Sequence, residues 1–302
     1  MSSPRKIAFV TSEADPNLIK DDRLAIEPLQ KLGIDVEVLV WDRTSNKLEH
    51  LDYLDGIVFR SCWNYHRKHD QFTAWLNALK SRHIPAFNSI DINLWNLSKK
   101  YLLDLQLCGI SVPETVFIPA GTFGETRLSF DISSIPSEKI IVKPAISLNG
   151  EDTFLLEKSD TEGLHLRATE INRHRDLILQ QFIPEIQNDG ELSLIFFNKK
   201  FSHAIRKNAK SGEFRIHEEH GGTRSPYYPS ADVLAFANDV VSQITDEMLF
   251  CRVDLIETPQ KIFLIELEIL DPMLFLEMDE QAPQRFADAI DEVLNSDGLI
   301  FL

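Results

Sequence analysis

The stretch Arg252-Val-Asp254-Leu-Ile-Glu-Thr-Pro-Gln-Lys-Ile-Phe-Leu-Ile-Glu266-Leu-Glu268-Ile-Leu-Asp-Pro sets Asp254, Glu266 and Glu268 inside two otherwise apolar runs. Residues 251–256 and 261–270 read as strands, and the polar, Pro-containing segment between them as a hairpin connection. The two-residue period puts Phe263, Ile265, Leu267 and Ile269 on one face and Glu266 and Glu268 on the other. A three-residue loop then sets Asp254 opposite Leu264, on the glutamate face. Carboxylates this close repel one another unless their pKa values rise or a divalent cation neutralises them. Oxygen-only ligands select Mg²⁺, Mn²⁺ or Ca²⁺ over zinc, and so small a patch suits Mg²⁺ held together with nucleotide phosphates. Two alternating glutamates can equally mark a solvated sheet face.

Other residues carry complementary chemistry. Lys143 ends an apolar strand before Pro144 and a turn-rich loop, where a lysine either contacts a phosphate or simply ends the strand in solvent. Lys99 starts an amphipathic helix, ordinarily an exposed position. Leu177-Ile-Leu-Gln180-Gln181-Phe182-Ile183-Pro184 is a buried strand leaving the core as a linker; it could offer backbone groups to an adenine edge, with Phe182 and Ile183 lining the pocket. Glu191 follows where a carboxylate could hold ribose hydroxyls. Arg206, Lys207, Lys210 and Arg215 concentrate positive charge before Gly221-Gly222, suited to a transferring phosphoryl group or a substrate carboxylate, or merely to a charged hairpin exit. His217-Glu-Glu-His220 and His66-Arg-Lys-His69 lack the H-E-x-x-H spacing, so zinc is not expected. Neither a G-x-S-x-G elbow nor a Walker sequence is present.

Positioning these groups requires several elements. The first ninety or so residues alternate strand and helix: Ile7 to Thr11, a helix from Arg23 to Leu32, Val36 to Trp41, Gly56 to Arg60, a helix from Gln71 to Ser81, then Pro85-Ala-Phe. This order implies a parallel sheet whose ligand-facing strand ends lie near Thr11-Ser12-Glu13 and Arg60-Ser-Cys-Trp63-Asn64-Tyr65. The first loop lacks G-x-G-x-x-G, which argues against a dinucleotide site. From Ile92 onward strands and helices mix in α+β fashion, and Gly121 to Lys139 is the candidate mobile connector. At 302 residues the chain suits two or three subdomains around a cleft. A net charge of −16 argues against a nucleic-acid partner. The scattered Cys62, Cys108 and Cys251 are no disulfide framework and fit a reducing cytoplasm. With neither a signal-like start nor a run of about 18 apolar residues, no membrane association is expected.

Taken in order, Lys99, Ile-Ile-Val-Lys143-Pro, Gln-Gln-Phe-Ile-Pro-Glu, Glu191, the Arg206 to Arg215 segment and Asp254…Glu266-Leu-Glu268 resemble the ATP-grasp superfamily, and within it the glutathione-synthetase-like branch that includes the ligase of D-cycloserine biosynthesis. The segments around Arg60 to Tyr65 and Gly212 to Gly222 look particularly like that group. The resemblance implies a Rossmann-like N-terminal domain (1–91), then central (92–183) and C-terminal (184–302) ATP-grasp subdomains. It implies ATP with Lys99 and Lys143 on its phosphates, Gln181, Phe182 and Ile183 at adenine and Glu191 at ribose. Asp254, Glu266 and Glu268 would bind Mg²⁺, with Mn²⁺ the alternative, and Arg206 and Arg215 would face the γ-phosphate and acyl phosphate. Substrate would lie between Arg60, Trp63, Asn64 and Tyr65 on one side and Gly221 and Gly222 on the other. Four features depart from the family pattern: Glu268 stands where Asn is common, Ser98 where an acidic residue usually precedes the first lysine, Gln181 where Glu is frequent, and the loop after Lys143 has only Gly150. The implied activity is ADP-forming ligation of a small carboxylate, such as an amino acid, to an amine through an acyl phosphate. A ring-closing ligase and a non-catalytic ATP-binding regulator remain alternatives. A homodimer is the default assembly.

Overall fold

The computed structural model describes residues 5–44, 48, 51–122, 131–210, 212–216 and 221–296. Part of the Gly121 to Lys139 connector and the motif His217 to His220 lie outside them. The chain opens with β1 (Arg5–Thr11), the short helices α1 (Lys20–Arg23) and α2 (Ile26–Lys31), β2 (Ile34–Val40), α3 (Trp41–Thr44), β3 (Gly56–Ser61), α4 (His69–Ser81) and β4 (Ala86–Phe87). The strands form one parallel sheet in the order β2-β1-β3-β4. The single helix expected from Arg23 to Leu32 is split. Leu24 and Ala25 tighten to i→i+3 bonds with Asp21 and Asp22, and Pro28 has no N–H to return to Leu24.

Next come α5 (Ile90–Asn96) and α6 (Tyr101–Leu107), followed by the second sheet. Its elements are β5 (Thr115–Ile118), β6 (Lys139–Pro144), β7 (Phe154–Glu157), α7 (Thr161–Asn172) and β8 (Leu177–Gln181), with antiparallel order β5-β8-β6-β7. After α8 (Glu185–Asn188), the strands β9 (Glu191–Phe197), β10 (Lys200–Asn208), β11 (Thr223–Tyr227), β12 (Phe250–Glu257) and β13 (Ile262–Glu268) build a third sheet, in the order β11-β10-β9-β12-β13. The helices α9 (Ala231–Ser242) and α10 (Ala282–Asn295) complete the fold. Asn198 and Lys199, at φ +44° and +59°, make the tight turn between β9 and β10.

One face of the third sheet is an apolar core. Leu192, Leu194, Phe196, Val253, Leu255, Leu264 and Leu267 pack there against Tyr101, Leu102 and Leu105 of α6 and Val233, Ala237 and Val240 of α9. The opposite face is divided. Ile195, Phe197, Ile205 and Phe250 pack under α10, whose Phe286, Ala289, Ile290 and Val293 follow helical spacing. The same cluster takes in Ile7 and Phe9 of β1 and Val58 of β3, so α10 joins the first sheet to the third. The other half of that face carries charge and faces the cleft.

Arg60 sits in this junction with 0% exposure, donating to Asp22 Oδ1 at 2.9 Å and to the Pro272 carbonyl at 2.8 Å. Its guanidinium lies over Phe250 and Phe286, at 4.9 and 5.6 Å from the ring centroids. The expected substrate contact is therefore replaced by a structural ion pair: side chains alternate along β3, and Arg60 points between the sheets. Arg60→Ala strands Asp22 in the interior and should cost about 3–5 kcal/mol in chemical denaturation. Full stability with weakened substrate binding would instead return Arg60 to the site.

His203 of β10 pins the chain after β13. Its Nε2–H donates to the Leu274 carbonyl at 2.9 Å, and Nδ1 accepts from the Ser202 hydroxyl at 2.9 Å. Burial pushes its pKa down to about 4. The unfolded chain, titrating near 6.5, binds the proton first as pH falls, so this histidine's contribution is intact above about 6.5 and is lost progressively toward 4. Relative to His203→Gln, the wild type should lose about 3 kcal/mol between pH 7 and pH 4 in urea unfolding.

Candidate active site

The metal-type carboxylates owe their common face to a bulge. Thr258 to Lys261 form a four-residue loop closed by the Thr258 N–H to Lys261 carbonyl bond at 2.9 Å. Beyond it Glu257 pairs with Ile262, Ile256 with Phe263 and Leu255 with Leu264; the register then slips so that Asp254 faces Glu266 and Arg252 faces Glu268. Ile265 is the extra residue. Unslipped, this loop would set Asp254 opposite Ile265 and turn its carboxylate away from the glutamates. The expected three-residue loop is thus corrected, while the shared face is kept. The bulge also turns Phe263 and Ile265 to the cleft side, beside Ile183 and Ile256, and leaves Leu264, Leu267 and Ile269 in the core.

Asp254, Glu266 and Glu268 each offer a carboxylate oxygen, and these oxygens lie within 4.8 Å of one another. Cations of the chain are interleaved among them. Arg252 donates to Asp254 Oδ2 at 2.9 Å and also to Glu268. Lys207 Nζ lies 2.8 Å from Glu191 Oε1 and 3.5 Å from Asp254 Oδ1, and Lys99 Nζ lies 3.5 Å from Glu266 Oε1. Burial would raise the Asp254 carboxyl, but Arg252 and Lys207 override it and hold the pKa at about 2. Burial likewise opposes ionisation of Glu266, and Lys99 and Lys143 bring it below the usual range. Glu268 and Glu191 are each pushed up to about 7, by burial first, with Asp254 adding to it, against the pull of Arg252 on Glu268 and of Lys207 on Glu191. Lys143, 7% exposed, is brought down to about 8 by burial, with Lys99 adding to it.

These groups line a cavity of about 290 Å³ between the second and third sheets. Its apolar end is walled by Ile141, Phe182, Ile183, Ile186, Ile256 and Ile265. There the Gln181 N–H donates to the Glu114 carbonyl at 2.8 Å, and the Phe182 N–H to Lys139 O and Ser137 Oγ at 3.4 and 3.3 Å. The Ile183 N–H has no partner among the described residues. At the middle, Lys99 Nζ holds the Ser147 carbonyl at 2.9 Å, and Ser147 to Gly150 line the wall. That loop is docked on the first domain: Ile146 and Leu148 pack against its core, and Glu151 Oε2 meets His66 Nε2 at 2.7 Å and Arg67 Nη2 at 3.0 Å. The far end is walled by Trp63, Arg215, Thr223, Arg224, Asp271 and Met273.

Several expected contacts lie elsewhere. Arg206 projects away from the cleft, over the Tyr227 ring at 4.7 Å, and donates to the Asp189 carbonyl. Its neighbour Lys207, paired in register with Glu191, points in. Asn64 is engaged with Asp42 and Trp41, and Tyr65 is buried on Phe72, so of the 60–65 segment Trp63 faces the cavity. Gly221 and Gly222 are not among the lining residues, whereas Thr223 and Arg224 just after them are. Arg215 lines the wall, gripped by Glu213 at 2.8 Å. Sequence reasoning placed Lys207 in the basic cluster but gave the inward role to Arg206, and it passed over Arg224, Arg252 and Asp271. Parity could have found Arg252, two residues before Asp254 on one strand, and Lys207, opposite Glu191.

Comparisons with known proteins bear on this geometry. The sequence model of the prokaryotic glutathione synthetase ATP-grasp domain matches residues 125–283, more than half of the chain. The chain belongs to the ATP-grasp family. Ahead of this region of the ATP-grasp ligase, residues 7–88 match the N-terminal domain of D-cycloserine synthetase DcsG. The cycloserine biosynthesis protein DcsG of Streptomyces lavendulae is 26% identical over 298 residues, covering 95% of this chain and 98% of the relative. The crystal structure of D-cycloserine synthetase DcsG superposes with a TM-score of 0.83 at 23% identity, covering 96% and 100% of the two chains. A D-alanine–D-alanine ligase from Bacillus anthracis complexed with ATP shares the fold at a TM-score of 0.68 and 14% identity, over 96% and 97%. The expected fold class is borne out, and this ATP-grasp ligase is an ATP-dependent, ADP-forming enzyme that joins a carboxylate to an amine.

The inward position of Lys207 sets a test. Lys207→Ala should lower ATP-dependent turnover by about 100-fold, whereas Arg206→Ala should stay within about threefold, measured as ADP release. The reverse ranking would restore Arg206 to the site.

Proposed function

We propose that the chain activates a small carboxylate, an amino acid or a close relative, as an acyl phosphate in this cleft and passes the acyl group to an amine. The observation that carries the reading is the convergence of Lys99, Lys143, Lys207 and Arg252 with Asp254, Glu266 and Glu268 on one cavity. In the first step a carboxylate oxygen attacks the γ-phosphorus of ATP and ADP leaves. In the second the amine attacks the acyl carbon, a C–N bond forms, the C–O bond to phosphate breaks and the nitrogen sheds a proton. Neither step needs a protein nucleophile; the chain positions the reactants and stabilises charge.

In this reading Phe182 and Ile183 hold adenine, with the unpartnered Ile183 N–H as the donor to its edge. Glu191 takes the ribose, and Lys99 and Lys143 take the phosphates. The hard, all-oxygen donor set of Asp254, Glu266 and Glu268 fits Mg²⁺, with Mn²⁺ the alternative; a bound ion would supply neutralisation of phosphate charge. Arg215, Arg224 and Arg252 face the acyl phosphate. The 1–91, 92–183 and 184–302 division belongs to the same proposal, supported by a separate sheet in each range. Free Cys62, Cys108 and Cys251 support a reducing, cytoplasmic location, and among the described residues no helix is long and apolar enough to cross a membrane.

A second reading, ring closure within one molecule as in a cycloserine-synthetase-type ligase, is favoured by the match to that synthetase group over residues 7–88 as well as over the whole chain. Incubation with ATP, Mg²⁺ and panels of amino acids and amines should release ADP and phosphate, and mass spectrometry of the product separates joining of two molecules from ring closure. Glu266→Gln should abolish Mg²⁺-dependent turnover, a loss on the order of 100-fold or more. Saturable ATP binding without turnover across the panel would point instead to a regulatory ATP-binding protein.

A further inference from the structure

The chain leaving β13 passes through Ile269, Leu270 and Asp271 to Pro272 under the carboxyl end of β3. Asparagine side chains satisfy the start of this segment: Asn96 Oδ1 accepts from the Ile269 N–H at 2.8 Å, and Asn88 Nδ2 donates to the Ile269 carbonyl at 2.7 Å. Trp63 Nε1–H donates to the Asp271 carbonyl at 3.1 Å. The Asp271 carboxylate is treated differently. The Cys62 backbone N–H only partly favours its ionised form, and Oδ2, buried, has no hydrogen-bond partner among the described residues. Asp271 is 5% exposed, yet it lines the cavity between Trp63 and Met273.

A buried carboxylate oxygen without a donor is costly; Asp21 and Asp22 also each have one, but their other oxygens are bonded by the Glu277 N–H and by Arg60, and neither residue lines the cavity. Arg60, the nearby cation, is already committed to Asp22 and the Pro272 carbonyl. Burial, and after it the charge of Glu268, push the Asp271 carboxyl well above the usual range, as expected of an acid lacking a counter-charge. The same end of the cavity holds Arg224 and Arg252. An α-amino acid carries its carboxylate and its ammonium on one carbon, so a site that holds both needs a base and an acid on adjoining walls.

We propose that Asp271 is a specificity-determining residue, which receives the cationic nitrogen of an amino-acid substrate while the arginines hold its carboxylate. The inference rests on the ligase reading above and names the class of its substrate. Trp63, through its bond to the Asp271 carbonyl, is a positioning residue for this contact.

The test uses the full chain with ATP, Mg²⁺ and hydroxylamine as the amine common to every assay, a panel of D- and L-α-amino acids that includes alanine and serine, and the matching acids that lack the nitrogen, propionate and 3-hydroxypropanoate among them. The wild type should turn over the amino acid and not its nitrogen-free counterpart. Asp271→Asn, which keeps the side-chain shape, should raise the amino-acid KM by about tenfold or more while the ATP KM stays within about twofold. Asp271→Glu should recover part of the loss. Equal turnover of the nitrogen-free acids, or an unchanged amino-acid KM in Asp271→Asn, overturns the assignment and leaves the ligase reading standing. If no compound is turned over, the ligase reading falls; calorimetric titration of D-serine into ATP-loaded wild type and Asp271→Asn then decides, and equal or absent binding overturns the role of Asp271.

Discussion

The Asp254 carboxylate is the fixed point of this cleft. It accepts hydrogen bonds from Ser193 and Arg252 and has Lys207 at 3.5 Å, so the strands β9, β10 and β12 converge on one negative charge. That charge is held firmly ionised and adds to what burial does to its neighbours. Glu191 and Glu268 are pushed upward by burial first and by this charge after it, and Arg252 is locked in its protonated form. The protein's own cations offset its acids, so the wall is close to electrically balanced before any ligand arrives. A divalent metal offsets about half of a nucleoside triphosphate's negative charge, and the wall's cations are at hand for the remainder, which limits the net change in buried charge on binding.

That polar wall occupies half of one sheet face, and the other half is as apolar as any core. The division is possible because α10 covers only the apolar half, bringing the first sheet with it, while the second sheet stands over the charged half. Arg60 belongs to this arrangement rather than to the chemistry. Lying between Phe250 and Phe286 and bonded to Asp22 and the Pro272 carbonyl, it fixes the distance between the first sheet and the segment that follows β13. The walls of the cleft are therefore set by a packed interior, and only their surface is functional.

Much of this was legible in the sequence, for identifiable reasons. The alternation of strands and helices before Phe87 reads directly as a parallel sheet, and the alternating Glu266 and Glu268 announce a polar face because β periodicity is strict over short distances. Lys143 and the Gln181 to Ile183 linker stand out by their place at strand ends. What escaped depends on geometry between strands. Arg206 and Lys207 are adjacent and equally basic, and only the pairing of Lys207 with Glu191 shows which of them faces inward. Arg60 has the composition of a ligand-binding residue, and only the packing of α10 reveals it as buried. Asp271 lies in a run with no periodic signal, so its place in the cavity follows from the turn the chain takes after β13.

The slip at Ile265 bears on how this sequence can change over time. Carboxylates on β12 and β13 meet because the connection has four residues and the strand has one extra, and the two irregularities cancel. The connection, Thr258 to Lys261, projects beyond the paired strands and can grow or shrink freely. Between Ile262 and Glu266, by contrast, loss of one residue can be absorbed by removing the bulge, but gain of one would carry Glu266 and Glu268 into the leucine-rich core and Leu267 into the cleft. Relatives that keep the activity are therefore expected to vary in length at the hairpin tip and to carry no single-residue insertion in β13, even where few side chains are shared.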